Sequence, residues 1–185
     1  MWLGVLAALG AGLMWGLLFL VPLLLAEYPG VVLSIGRYTA FGLLAVGLAW
    51  MDRGALLRLG RDDWLEAARL SLVGNILYYA FLASAIQLAG APIPTLLIGT
   101  LPVVIAVCAN LLASRAEEGA AVRWAGLAAP LGLIFGGLTA VQFGADITLA
   151  DSIVQVSWSG IALALLAVAC WTWYPLRNSR WLKAH

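Results

Sequence analysis

Polar positions along this chain are rare and clustered, and between them apolar residues run on for about twenty positions at a time. Six such runs occur, at about residues 2–25, 30–51, 64–88, 92–114, 121–142 and 158–177, each bounded by charged or turn-forming residues. The hydrocarbon core of a bilayer is about 30 Å thick and takes roughly 20 apolar residues of helix to cross, so each run predicts one transmembrane helix. EYPG joins the first two runs and AGAP the third and fourth, turns short enough to make helical hairpins. A transmembrane barrel needs segments of about ten residues that alternate apolar and polar, and these runs do not alternate. The expected fold class is an all-α polytopic membrane protein with six transmembrane helices.

Composition strengthens that expectation. The 185 residues are 64% hydrophobic and 10% charged, with a mean hydropathy of +1.01, far from the range of a soluble domain. The first run lacks a basic leader and is longer than the apolar core of about 7 to 15 residues typical of a signal peptide, so it is read as a span. Cys108 and Cys170 both fall inside runs, which gives neither a disulfide framework nor a metal site.

Charge supplies the orientation. Arg53, Arg58, Arg61 and Arg69 surround the second connection, Arg115 and Arg123 the fourth, and Arg177, Arg180 and Lys183 follow the last run. The other connections carry no Lys or Arg, so the positive-inside rule puts these basic segments and both termini in the cytoplasm, with Glu27, Asp146 and Asp151 outside. These loops are topology signals, and nucleic acid is not an expected partner. Trp2, Trp50, Trp64, Trp158 and Trp181 lie near the expected interfaces, where amphipathic rings form a belt.

Within the spans, small residues recur four apart: Gly12 with Gly16, Gly36 with Ala40, Gly132 with Gly136. Such pairs let helix backbones approach in lipid and predict a compact bundle. Span 3 is more particular. Ser71, Asn75, Tyr78 and Tyr79, at i, i+4, i+7 and i+8, place an alcohol, an amide and two phenols on one face of a regular helix. That face either bonds to neighbouring helices or lines a wet cavity. In span 4, Thr95, Gly99, Pro102, Ala106 and Asn110 form a second stripe, and Pro102 cannot donate to the carbonyl of Ile98, which predicts a kink. Pro130 and Pro175 predict further helix breaks in spans 5 and 6, releasing the carbonyls of Gly126 and Trp171.

The chain also repeats itself. GVLAALGAGLMWGLLFL from Gly4 aligns with GIALALLAVACWTWYPL from Gly160, pairing Gly4 with Gly160 and Trp15 with Trp171 at an offset of 156 residues. Five spans separate the copies, and an odd number reverses the direction of the second, giving an inverted repeat of the kind built into many secondary transporters.

WGLLFLVP, the arginine in SIGRYTAFG, YYAFLASAIQLAGAPIPTLLIGTLPVVIAV, the glycine-rich fifth span and WSGIALALLAVACWTWYPLRN together resemble the drug/metabolite transporter superfamily, EamA type. The resemblance implies ten helices in two inverted five-helix repeats around a central cavity, termini inside, and a bacterial inner-membrane exporter of amino acids, metabolites or drug-like solutes working by alternating access. Residues 1–142 then correspond to one repeat, 143–157 to an external loop, and 158–185 to the first helix of the second repeat with a cytoplasmic tail. The chain stops where such a member continues for four more spans. A fragment or truncated product is the favoured reading; the alternative is a non-transporting remnant or assembly subunit, completed by a second chain or as a homodimer.

Enzymatic chemistry is not expected. The one histidine is His185, which leaves no serine–histidine centre and no histidine metal site in the bundle. All nine carboxylates fall in connections or at span ends, so coupling through an intramembrane acid is not expected either. Small multidrug relatives in the superfamily use a first-helix glutamate that this chain lacks. No phosphate-binding glycine loop is present, and no cofactor is expected. The candidate solute cavity is lined by Trp15, Asn75, Tyr78, Tyr79, Thr95, Thr100 and Trp171, rings and neutral polar groups that suit amphipathic organic solutes.

Arg37 is the one basic residue near the middle of a run rather than at its end. A charge facing lipid there costs about 2.5–3.5 kcal/mol on insertion scales, so it should face the bundle. Glu27, a carbonyl freed by proline, Ser34 or a neighbouring tyrosine could partner it, in structural anchoring, in gating the outer half, or in direct contact with an anionic solute group.

Overall fold

The computed structural model describes residues 2–115 and 157–184, together with Ala128, Ala129, Gly132, Leu133, Gly136 and Gly137. Pro130 and most of the fifth span lie outside the described residues, as does the connection 143–156.

Among the described residues the elements are helical throughout. They are α1 (Trp2–Leu24), α2 (Gly30–Met51), the short α3 (Arg53–Leu56), α4 (Arg61–Ser71), a π-helical turn (Leu72–Leu77), α5 (Tyr78–Ala89), α6 (Pro92–Gly99), α7 (Leu101–Arg115) and α8 (Trp158–Ala184). Spans 1 and 2 are α1 and α2. Span 3 is α4, the π turn and α5 run together, Arg61–Ala89, starting three residues before the apolar run. Asp62 and Asp63 account for the early start: carboxylates in a first turn complement the helix dipole, and the Asp63 side chain accepts the Gly60 N–H at 2.9 Å.

Span 4 divides into α6 and α7 at Thr100, two residues before Pro102. With the ladder interrupted by the proline, the Thr100 N–H and hydroxyl both donate to the Leu97 carbonyl, at 3.1 and 2.6 Å. Pro175 behaves differently from expectation. α8 continues through it to Ala184, because a proline removes one rung and the rungs on either side still hold.

α5 is the centre of the packing. Leu82, Ala83, Ala85 and Ile86 are fully buried, with α2 and α8 against it and parts of α1 and α6 completing the shell. The glycines that set these approaches are not the expected pairs. A Cβ on Gly12, Gly16 or Gly36 would meet nothing within 4 Å. A Cβ on Gly30 would lie 2.5 Å from the Ser84 backbone nitrogen, on Gly160 2.6 Å from the Ala89 Cβ, and on Gly74 2.3 Å from the Tyr174 ring. Single glycines on the elements facing span 3, and one within it, permit the close contact. Gly132 and Gly136 fall where only isolated residues are described.

The π turn also corrects the span 3 stripe. With i→i+5 bonding the helix is locally wider, so residues before and after it do not keep the 3.6-residue register. Ser71 is exposed and Asn75 half-buried, whereas Tyr78 and Tyr79 are buried. The Ser34 hydroxyl of α2 donates to the Ile76 carbonyl at 2.8 Å, supplying the turn with a partner from a neighbouring helix. Ser34→Ala is expected to cost about 1 kcal/mol, the usual net worth of such a bond, read as a lower midpoint in thermal unfolding in detergent.

Candidate functional site

A cleft of about 530 Å³ opens between α1 and α2 at the end of the bundle that carries the EYPG turn. One wall is Leu18 and Val21 of α1 with Leu25 just past its end, spaced three and four apart, the Leu25 N–H still donating to the Val21 carbonyl at 3.0 Å. Val32, Leu33 and Gly36 of α2 form the opposite wall, and Tyr79 of α5 closes the inner side. The turn is tied to the bundle by Gln87, whose amide donates to the Tyr28 carbonyl at 2.8 Å and reaches the Pro22 carbonyl at 3.5 Å.

Arg37 lines this cleft. Its guanidinium carbon lies 4.6 Å from the centroid of the Tyr79 ring, 5.2 Å from Tyr38 and 5.4 Å from Phe41, within the range where a ring face attracts a cation. Among the described residues, neither Glu27 nor Ser34 engages it. No ion pair joins it to Glu27 among the described residues, and Ser34 spends its hydroxyl on Ile76. Nη1 is buried without a hydrogen-bond partner. The ring faces stabilise the charge but accept an N–H only weakly.

A second aromatic group lies between α5 and α8. Tyr78 packs on Trp171 with ring centroids 4.7 Å apart, and Trp171 stacks on Tyr174 at 5.6 Å and 22°. Gly74 makes room for Tyr174. The Tyr78 hydroxyl and the Thr172 hydroxyl nearby in sequence to Trp171 are buried without partners among the described residues, as is the Asn110 carbonyl oxygen.

The expected cavity residues are therefore distributed. Tyr79 lines the cleft with Arg37, and Tyr78 and Trp171 share the stack. Asn75 sits in the π turn one helical turn before them. Thr100 is turned onto Leu97 at the span 4 break, and Thr95 is exposed on α6. Trp15 is 45% exposed and meets Phe19 edge-on at 6.0 Å. Glu27 is exposed in the α1–α2 connection.

At the opposite end, Glu66 is 2% exposed and bound by two nitrogens of Arg177: Nε, and Nη2 at 3.1 Å. Arg69 adds a contact at 3.6 Å. This fork ties the beginning of span 3 to the end of α8. Sequence reasoning placed Glu66 only among span-end carboxylates and passed over Gln87 and Tyr174. The available signals were a lone acid one turn inside α4, a lone amide just before AGAP, and an aromatic three residues after Trp171.

Comparison with known proteins follows the same outline. Residues 2–139 match the EamA-like transporter family. Over 184 residues the chain is 50% identical to the inner membrane protein YtfF of Escherichia coli strain K12, covering 97% of this chain and 56% of that protein. The chain thus spans little more than half the length of this curated relative. No solved structure matches it. A helical, multi-pass inner-membrane chain with no strand among its described residues, matched over most of its length, belongs to the EamA-like transporter family.

Proposed function

We propose that this chain carries small organic solutes across the inner membrane by alternating access, in the direction of export, with residues 1–142 as one repeat, 143–157 as an external loop and 158–185 opening an inverted second one. The observation that carries the reading is the cleft between α1, α2 and α5. About 530 Å³ is a size suited to a small organic molecule, and its apolar walls converge on a charge and a phenol. Asn75 in the π turn and the Tyr78–Trp171 stack between α5 and α8 are the further polar and aromatic groups that this reading assigns to the solute path. The basic connections support cytoplasmic termini, and in that orientation the cleft opens outward and the Glu66–Arg177 fork closes the inner end. No acid other than Glu66 is buried among the described residues, and Arg177 occupies it, which supports transport without an intramembrane proton carrier.

The test is solute flux in cells expressing the chain, compared at matched expression with Trp15→Ala, Asn75→Ala and Trp171→Ala. Asn75→Ala and Trp171→Ala are expected to lower the rate by roughly tenfold, the loss typical when an orienting hydrogen bond or ring contact is removed. Unchanged flux in all three variants overturns the assignment.

A further inference from the structure

We propose that the α1–α2 cleft is a recognition site for a small amphipathic carboxylate, with Arg37 taking the carboxylate and the apolar walls taking its hydrocarbon body. The inference rests on the transporter reading for its biological setting, but its chemistry stands on the cleft alone. A guanidinium carries five N–H donors in a rigid fork whose natural complement is a carboxylate. Here the chain supplies no carboxylate: the described residues give Arg37 no ion pair, and Nη1 is buried with no acceptor. What surrounds the charge instead are the rings of Tyr38, Phe41 and Tyr79, which hold the guanidinium in place by its faces. The buried Nη1 is left for an incoming group. Leu18, Val21, Val32 and Leu33 line the same cleft as the charge, so a ligand seated on Arg37 lays a short hydrocarbon chain along them. A neutral solute would gain the walls and leave the charge unmatched. A cationic one would meet repulsion.

The experiment measures binding of octanoate and of octanamide, the same chain with an uncharged head, to the purified protein in nanodiscs of phosphatidylcholine alone. Octanoate is expected to bind about tenfold or more tightly than octanamide, as a charge-assisted hydrogen bond implies, and Arg37→Gln to abolish the difference. Equal binding of the two ligands to the unaltered protein overturns the proposal without reference to any variant. So does a preference for octanoate that survives Arg37→Gln. Adding phosphatidylglycerol to the discs separates the two sources of an anionic head. Octanoate binding that persists supports a soluble carboxylate, and its displacement by the lipid overturns that assignment in favour of a lipid phosphate. Because binding is read without transport, a carboxylate preference in a chain that moves no solute would sink the carrier reading alone. Flux of neutral solutes with no carboxylate preference would sink this one alone.

Discussion

Glu66→Ala is expected to release the beginning of span 3 from the end of α8 and to give a large loss of folded protein. The carboxylate is 2% exposed and accepts from both Nε and Nη2 of Arg177, so it is held in the parallel geometry that makes an arginine–carboxylate pair strong. The Arg177 side chain is 44% exposed, and water screens the far side of its charge, which puts the effect below that of a fully buried pair. A fall of roughly tenfold in the folded-to-unfolded ratio is a fair expectation on that footing. Arg177→Met should be at least as damaging, since it leaves the buried carboxylate facing only Arg69 at 3.6 Å. The exchange Glu66→Arg with Arg177→Glu should recover part of the loss. Folded fraction after detergent extraction, followed by thermal unfolding, measures all three. A Glu66→Ala protein as stable as the parent would mean that the fork is incidental.

The second large effect concerns Gly74. A methyl there would lie 2.3, 2.5 and 2.7 Å from Cδ2, Cγ and Cβ of Tyr174. Because Cβ is among them, turning the ring does not clear the clash, and either α8 or the π turn must shift. Overpacking of this kind costs about 1–3 kcal/mol, so Gly74→Ala should lower the unfolding midpoint clearly. Tyr174 stacks on Trp171, which stacks on Tyr78, so the shift should also reach the aromatic column and appear in near-ultraviolet circular dichroism. Gly12→Ala is the counterpart. Nothing lies within 4 Å of a Cβ there, and alanine favours the helix, so no destabilisation is expected. If the two substitutions behaved alike, the assignment of close packing to Gly74 would fail.

That contrast shows where sequence pattern carried information and where it did not. For the five spans among the described residues, the existence of each helix followed from run length, because the thickness of the bilayer leaves little freedom. α2 begins and ends at the residues its run marks, and α1 ends within one of them. Proline at 102 forecast the division of span 4, since its missing donor acts on its own helix whatever the surroundings. The same rule failed to end α8 at Pro175, as continuation depends on what the rest of the helix can hold. Glycine pairs misled, because spacing says which residues share a face but not which face meets a neighbour. The π turn was invisible for a related reason. Nothing in LVGNIL demands i→i+5 bonding, and the acceptor for Ser34 and the space for Tyr174 arise only once three elements are assembled. Arg37 stood out at once as a charge out of place. The absence of an intramembrane acid to pair it was foreseeable from the carboxylate positions, though Glu27 stayed a candidate, and its three-ring surround was partly hidden, since Tyr79 lies 42 positions away.

Because the π turn breaks the register of span 3, the direction in which Tyr79 and Gln87 point is set separately from the direction in which Glu66 points. Removing a single residue between Leu72 and Leu77 would turn everything beyond it by about 100° around the helix axis while leaving the Glu66 end where it is. The length of that six-residue segment, more than the identity of any residue in it, fixes the azimuth of the wall that the cleft shares with α5.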